Sequence, residues 1–336
     1  MDMELEKQTI QQPAQQVTQQ VDLREFSERI MRLKQSISSV IVGQSATVDL
    51  LLTAMLADGH VLLEGVPGVA KTLMARLVAR LIDARFSRIQ FTPDLMPSDV
   101  LGTTVFNMKT SEFDFHEGPV FADMVLVDEI NRAPAKTQAA LFEVMEERQV
   151  SIDGVSRRMG DLYTIIATQN PVEQEGTYRL PEAQLDRFMF KVTVDYPSLD
   201  EEVQILQRHH QKAAFNKIED VKPVISKEEL LRMRGYMTSV FIEPSLMTYI
   251  ATIVQQTRVS KAVYLGASPR ASVAIMQASK AYALLQGRNF VTPEDIKWVT
   301  PSVIQHRIML TAEAEMEGYT PLKVAMRLID KVEVPK

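Results

Sequence analysis

Gly65-Val66-Pro67-Gly68-Val69-Ala70-Lys71-Thr72 follows the short apolar run His60-Val61-Leu62-Leu63-Glu64 and opens into Leu73-Met74-Ala75-Arg76-Leu77-Val78-Ala79-Arg80-Leu81, a stretch of helical character. Strand, glycine-bearing turn, then Lys-Thr at a helix start is the arrangement of a phosphate-binding P-loop. Glycines let the backbone curl so that several N–H groups aim at one anion, and the helix N-terminus adds partial positive charge. Lys71 is placed to reach β- and γ-phosphates, and Thr72 to offer its hydroxyl to Mg2+. The residues expected to bind the nucleotide run from Gly65 through Leu73. The usual pattern has Gly directly before the Lys, where Ala70 stands here. Alanine is a strong helix former, so Ala70 is expected to be tolerated in the first helical turn. In isolation the motif competes with a chance loop.

The chain has 336 residues, long for one domain and comfortable for two, and either half can bury a core. It is 46% apolar and 24% charged, as soluble globular proteins are. The net charge is −6 with signs interleaved, and no Lys/Arg block suggests a nucleic-acid arm or a contact with an anionic membrane. The absence of cysteine excludes disulfides, thiolate metal sites and a thiol nucleophile. No basic segment leads into an apolar core at the N-terminus, and no apolar run is long enough to span a bilayer, so a cytoplasmic location is expected.

Residues 1–20 hold seven glutamines, and 1–21 is expected to be a disordered tail. Leu23, Phe26, Ile30, Leu33 and Ile37 recur at helical spacing, followed by Ile41-Val42-Gly43-Gln44. Apolar strand candidates at 61–64, 87–91, 124–128, 162–168 and 189–194 then alternate with helices. Strands apolar nearly throughout belong in a parallel sheet covered on both faces. The expected domain at 22–197 is therefore α/β, with two inserted hairpins. One lies within 103–115, and the other spans 149–158 and turns near Asp153-Gly154. From 198 to 336 the segments 201–213, 226–238, 244–258, 269–286, 293–304 and 321–332 read as helices. Pro244, Pro269, Pro293 and Pro321 each sit near a helix start, and Thr292-Pro293-Glu294-Asp295 is a capping box. This region is expected to be helical without sheet.

Asp128-Glu129 ends the strand Met124-Val125-Leu126-Val127. Two carboxylates there lie on the ligand-binding edge of an open α/β sheet. Asp128 is suited to hold Mg2+ and Glu129 to polarise an attacking water; a solvated strand end is the plain alternative. Asn170 closes the next polar-ended strand, Ile165-Ile166-Ala167-Thr168-Gln169, and either contacts the γ-phosphate or its water, or serves as a turn residue before Pro171. Arg187 either pairs with Asp186 or Glu182, or projects as an arginine finger into a neighbouring subunit's nucleotide. Arg270 lies in the first turn of a helix, where a cation opposes the helix dipole, which favours an anionic partner.

These elements come in the order and spacing of AAA+ ATPases. Asp128-Glu129-Ile130-Asn131-Arg132-Ala133, Gln169-Asn170-Pro171-Val172-Glu173-Gln174-Glu175-Gly176-Thr177-Tyr178, Leu180-Pro181-Glu182-Ala183-Gln184-Leu185-Asp186-Arg187-Phe188 and Gly266-Ala267-Ser268-Pro269-Arg270 resemble the MoxR family more closely. The resemblance runs from about residue 25 to the C-terminus. It implies a P-loop AAA+ core on a parallel five-stranded sheet with a C-terminal all-helical lid. It implies Walker A and B roles for Lys71/Thr72 and Asp128/Glu129, sensor 1 for Asn170, the finger for Arg187 and sensor 2 for Arg270. Val42, Gly43 and Gln44 match the segment that lines the adenine pocket, and the hairpins match the helix-2 and pre-sensor-1 inserts. Arg179 stands where the family pattern has proline. In related branches the sensor 2 arginine acts from the adjacent subunit, and Arg132 is a further candidate to act in trans. ATP and Mg2+ are the implied substrate and cofactor. A homo-oligomeric ring, a hexamer, is the implied assembly, remodelling client proteins such as von Willebrand factor A domain proteins. A magnesium-chelatase-like motor and a nucleotide-gated scaffold with little turnover are the alternatives.

The remaining signals are weaker. His209-His210 are neighbours on different helix faces, and His60, His116 and His306 have no ligand spacing. The 18 methionines serve either as core filling or as an adaptable surface. Lys109, His116 and the aromatics of 106–115 could grip a substrate.

Overall fold

A computed structural model describes residues 23–171, 176–178, 180–210 and 221–335. The Gln-rich stretch 1–21, part of the 169–178 string and Arg179 lie outside them. The described chain begins with helices α1 (Leu23–Val40) and α2 (Ser45–Leu56), then strand β1 (Val61–Glu64) and α3 (Lys71–Leu81). β2 (Phe86–Gln90), the short α4 (Pro97–Leu101), and a hairpin of β3 (Gly102–Asn107) and β4 (Glu112–Glu117) follow. Next come β5 (Met124–Asp128), α5 (Ala135–Glu147), a second hairpin of β6 (Gln149–Ile152) and β7 (Val155–Arg158), and β8 (Thr164–Gln169). A one-turn helix α6 (Glu182–Leu185) leads into β9 (Phe190–Thr193).

β1, β2, β5, β8 and β9 form one sheet of five strands in the order β2-β5-β8-β1-β9, and every neighbouring pair is parallel. Their alternate residues feed two cores. Val61 and Leu63 of β1, Met124 and Leu126 of β5, and Ile166 of β8 face α1, α2 and α3. Leu62, Val125, Val127, Ile165 and Ala167 face α5. Burial on both sides explains why the three central strands β5, β8 and β1 are mostly apolar, whereas the edge strands β2 and β9 carry polar residues. The strand bounds shift by one or two residues from those the sequence suggests, and the elements are the same five.

The two hairpins touch. Thr104 Oγ1 donates to Asp153 Oδ2 (2.5 Å), and the Arg157 guanidinium stacks 3.9 Å from the Phe115 ring centroid. Asp153 and Gly154 both take positive φ (53° and 76°), which fits the right-handed twist of a two-residue hairpin turn.

The C-terminal part comprises α7 (Leu199–His210), α8 (Lys227–Tyr236), α9 (Pro244–Val259), β10 (Val263–Leu265), α10 (Pro269–Leu285), α11 (Pro293–Ile304), β11 (Met309–Leu310), α12 (Ala312–Met316) and α13 (Pro321–Lys331). The expected capping box is present: the Thr292 side chain accepts from Asp295 N, and Asp295 accepts from Thr292 N. One expectation is corrected. The region is helical but not free of sheet, because β10 and β11 pair as an antiparallel ribbon. Three- and two-residue strands carry no periodicity, and they are too short to show in the sequence. Apolar side chains of α8–α11 and α13 join the same buried cluster as α1–α3, so one core runs from one face of the sheet through the C-terminal helices.

Candidate functional site: a nucleotide cleft at the sheet edge

β1 ends at Glu64 and the chain turns at once. A Cβ on Gly65 would meet Val194 O at 2.5 Å, so the chain just after β9 passes too close for any side chain there. Gly68 takes φ +88°, open to glycine and strained for other residues. Ala70 is the N-cap of α3 and lies in the left-handed region at φ 59°, ψ 23°. The expectation that it joins the helix is therefore corrected: α3 begins at Lys71. The glycine of the usual pattern would meet this conformation without strain.

Pro67, Gly68, Ala70, Lys71, Thr72 and Leu73 line a cleft of about 370 Å3 together with Asp128, Glu129 and Asn170. That volume suits a small-molecule ligand. Parallel strand ends supply the acidic wall. The Asp128 side chain points to the α3 side, where Thr72 Oγ1 lies 3.5 Å from Oδ2 and Thr168 Oγ1 donates to Oδ1 at 3.2 Å. Thr168 Oγ1 also accepts from Glu129 N (3.0 Å), which helps to hold Glu129 in the left-handed region at φ 56°. The hydroxyl of Thr72 and the carboxylate of Asp128 are hard oxygen donors of the kind Mg2+ takes alongside phosphate oxygens and water. The donor set fits that ion.

Lys71 Nζ donates to Gly65 O across the loop. Burial lowers its pKa below the ordinary lysine value, while the charges of Asp128, Glu129 and Glu64 pull it back up. A half-desolvated ammonium at the mouth of a P-loop is an anion receptor.

Three cleft residues are ones the sequence reading passed over: Arg88, Gln90 and Thr168. Arg88 Nε donates to Asp128 Oδ2 at 2.6 Å. Gln90 Nε2 donates to Glu129 Oε2 at 3.0 Å, and Arg132 Nε reaches the same oxygen at 3.0 Å. The signal was available in Arg88-Ile89-Gln90, where a buried Ile89 separates two polar residues on one face of β2. Gln90 pairs in register with Asp128.

The other expected site residues lie outside the cleft lining. Gly43 (φ +71°) and Gln44 (φ 60°) make a turn before α2, and a Cβ on Gly43 would meet the Glu201 carboxylate at 2.5 Å. Gln44 Nε2 donates to Asp195 O (3.1 Å), just after the Val194 that abuts Gly65. The Val42-Gly43-Gln44 turn and the P-loop thus border the same stretch of chain from 194 to 201.

Arg187 sits on α5, where Nη1 donates to Phe142 O (2.6 Å) and Nη2 pairs with Glu146 at 2.7 Å. Its acidic partner is Glu146 rather than Asp186 or Glu182. Arg270 is 75% exposed, and its Nη1 lies 3.8 Å from Asp186 Oδ2, the anion it faces here. His60 and His306 are buried, His209 and His210 are exposed, and no cluster of three His, Cys, Asp or Glu able to hold a metal occurs among the described residues.

Residues 60–190 match the family model for "ATPase family associated with various cellular activities (AAA)", and 255–327 match the AAA lid domain. The chain is 48% identical to an uncharacterized protein YeaC of Bacillus subtilis, over 89% of this chain and 92% of that one. It is 44% identical to the chaperone MoxR1 of Mycobacterium tuberculosis, over 89% of this chain and 81% of that one. The chain belongs to the MoxR family of AAA+ ATPases. A crystal structure of a Cytophaga hutchinsonii protein superposes with a TM-score of 0.86 at 39% identity, covering 94% of this chain and 97% of that one. The AAA match runs from β1 to the start of β9 and takes in α3–α6, and the lid match runs from the end of α9 into α13.

Proposed function

We propose that this MoxR-family chain hydrolyses ATP to ADP and phosphate in a closed ring of six copies, and that the ring remodels client proteins. The observation that carries the proposal is the division of the residues. Lys71, Thr72, Asp128, Glu129 and Asn170 line one cleft, whereas Arg187 lies on α5 beyond it. Arg88, the arginine of the cleft lining, is taken up by Asp128, so an arginine from a second copy completes the charge-stabilising set.

The loop N–H groups and the α3 N-terminus receive the phosphates. Lys71 reaches the β- and γ-phosphates, and the Val42-Gly43-Gln44 turn borders the base. Thr72 and Asp128 would hold Mg2+, which would supply charge neutralisation to the phosphates. Glu129 exchanges Gln90 and Arg132 for the attacking water and takes its proton, while Asn170 orients that water or the γ-phosphate. Arg187 of one copy offsets the charge developing in its neighbour's cleft, and Arg270 reports the nucleotide to the lid. Proteins with von Willebrand factor A domains are the clients the family resemblance suggests.

Lys71→Ala should abolish nucleotide binding, and Glu129→Gln should bind ATP and lose turnover. Arg187→Ala should be inactive alone and regain turnover when mixed with Glu129→Gln, because mixed interfaces pair an intact cleft with an intact finger. Unchanged ATP affinity in Lys71→Ala, or no recovery at any mixing ratio, would overturn the respective assignment.

A further inference from the structure

The residues just after α11 grip the backbone that carries Arg187. Gln305 Nε2 donates to Lys191 O (2.5 Å), and His306 Nε2 donates to Phe188 O (2.9 Å). Arg307 does more. Its Nη2 donates to Phe188 O (2.7 Å) and Asp186 O (3.1 Å), and its Nη1 donates to Met189 O (3.2 Å). Its Nε meets Asp186 Oδ1 at 2.6 Å. The Arg307 side chain is 5% exposed. Three backbone carbonyls and one carboxylate around the finger are thus fixed by one buried guanidinium from the lid.

A guanidinium is suited to this task because its donors form a rigid planar fork, whereas an ammonium is a point charge on a flexible stem. Burying that charge is costly, and an apolar side chain would fill the same space with no such cost. The fork therefore needs a reason beyond packing. The Asp186 carboxylate faces a second lid cation, Arg270, across its other oxygen. Arg187 leaves the same short segment toward α5. One end of this segment answers to the lid, and the other presents the finger.

We propose that Arg307 is a positioning residue for the arginine finger, tying the lid of one copy, through Asp186 and the carbonyls beside it, to the Arg187 that this copy offers its neighbour. The inference rests on the trans-finger function proposed above. The cleft whose turnover Arg307 governs is the neighbour's, and its own cleft is left intact.

The test uses full-length Arg307→Lys and Asp186→Asn. Each should bind a fluorescent ATP analogue within about twofold of the parent, while kcat of the uniform assembly falls about 100-fold, as for a finger displaced on the order of 1 Å. Mixing either variant with Glu129→Gln, whose cleft is dead and whose finger is sound, should recover turnover. Arg187→Ala mixed with Glu129→Gln is the control. If the control recovers and the Arg307→Lys mixture does not, Arg307 serves only its own subunit and the inference falls, with the finger standing. If neither recovers, the trans reading fails and takes this inference with it. Should Arg307→Lys not fold, Asp186→Asn carries the test, since it keeps its shape and its backbone carbonyl; full turnover in that variant overturns the proposal.

Discussion

Ala70 and Arg88 show how a single side chain sets the properties of the cleft. Ala70 holds φ 59° without the freedom of glycine, a strain of about 1–2 kcal/mol, part of which glycine would return as chain entropy. Ala70→Gly should therefore raise the thermal midpoint by about 1–3 °C; a lower midpoint in differential scanning calorimetry would contradict the left-handed assignment. Arg88 donates to the same Asp128 oxygen that faces Thr72, so it competes with any cation held there. Arg88→Gln should lower the Mg2+ concentration needed for half-maximal nucleotide-dependent activity, read by Mg2+ titration, and a raised requirement would make Arg88 a ligand-binding group instead. The P-loop, the acid pair and Asn170 were legible because their chemistry demands fixed residue types at fixed spacing. Arg88 and Gln90 showed only as polar residues flanking Ile89, and Thr168 gave no signal. They are ordinary polar residues, and they become part of the site only when the register of parallel strands sets β2 and β8 on either side of β5.

His60 ties three elements together at the start of β1. Its Nε2 meets Met145 O of α5 (3.3 Å), and its Nδ1 accepts from Ile165 N of β8 (3.0 Å), which fixes one neutral tautomer. Burial first, then the nearby Arg148, lowers its pKa from 6.5 to about 3. The unfolded chain takes up this proton below about pH 6.5 and the fold does not until about pH 3, so stability is lost as pH falls through that window. The slope from one such group is about 1.4 kcal/mol per pH unit. Burial also lowers His306, which adds in the same direction, so the informative comparison is between variants. Urea unfolding at pH 7 and pH 5 should show a smaller stability loss in His60→Gln than in the parent; equal losses would place the proton elsewhere. At this scale the sequence was a fair guide. Hydrophobic spacing marked α1, and proline starts and the capping box marked the longer lid helices, whereas the β10–β11 ribbon and the five-residue α12 were too short to carry a period. The roles of the buried histidines depend on contacts between elements distant in the chain, which spacing does not encode.

For the whole molecule, the family and the two-part architecture followed from the sequence, while the seam between the parts did not. Gln305, His306 and Arg307 gave no motif, since their partners are mostly backbone carbonyls that any residue would present. That seam lies beside the apolar core shared by α1–α3 and the lid. A protein so joined has no natural place to be cut. Separating the chain between Pro197 and Ser198 would leave two fragments, each exposing the apolar surface that the other had covered. Neither fragment should be soluble as a monomer, the two produced together should recover a folded pair, and the intact chain should melt in a single transition. A lid that swings in such a protein cannot do so as a free door on a hinge. Any displacement that keeps this core dry has to be a slide along the seam, spread as shear through the apolar interior.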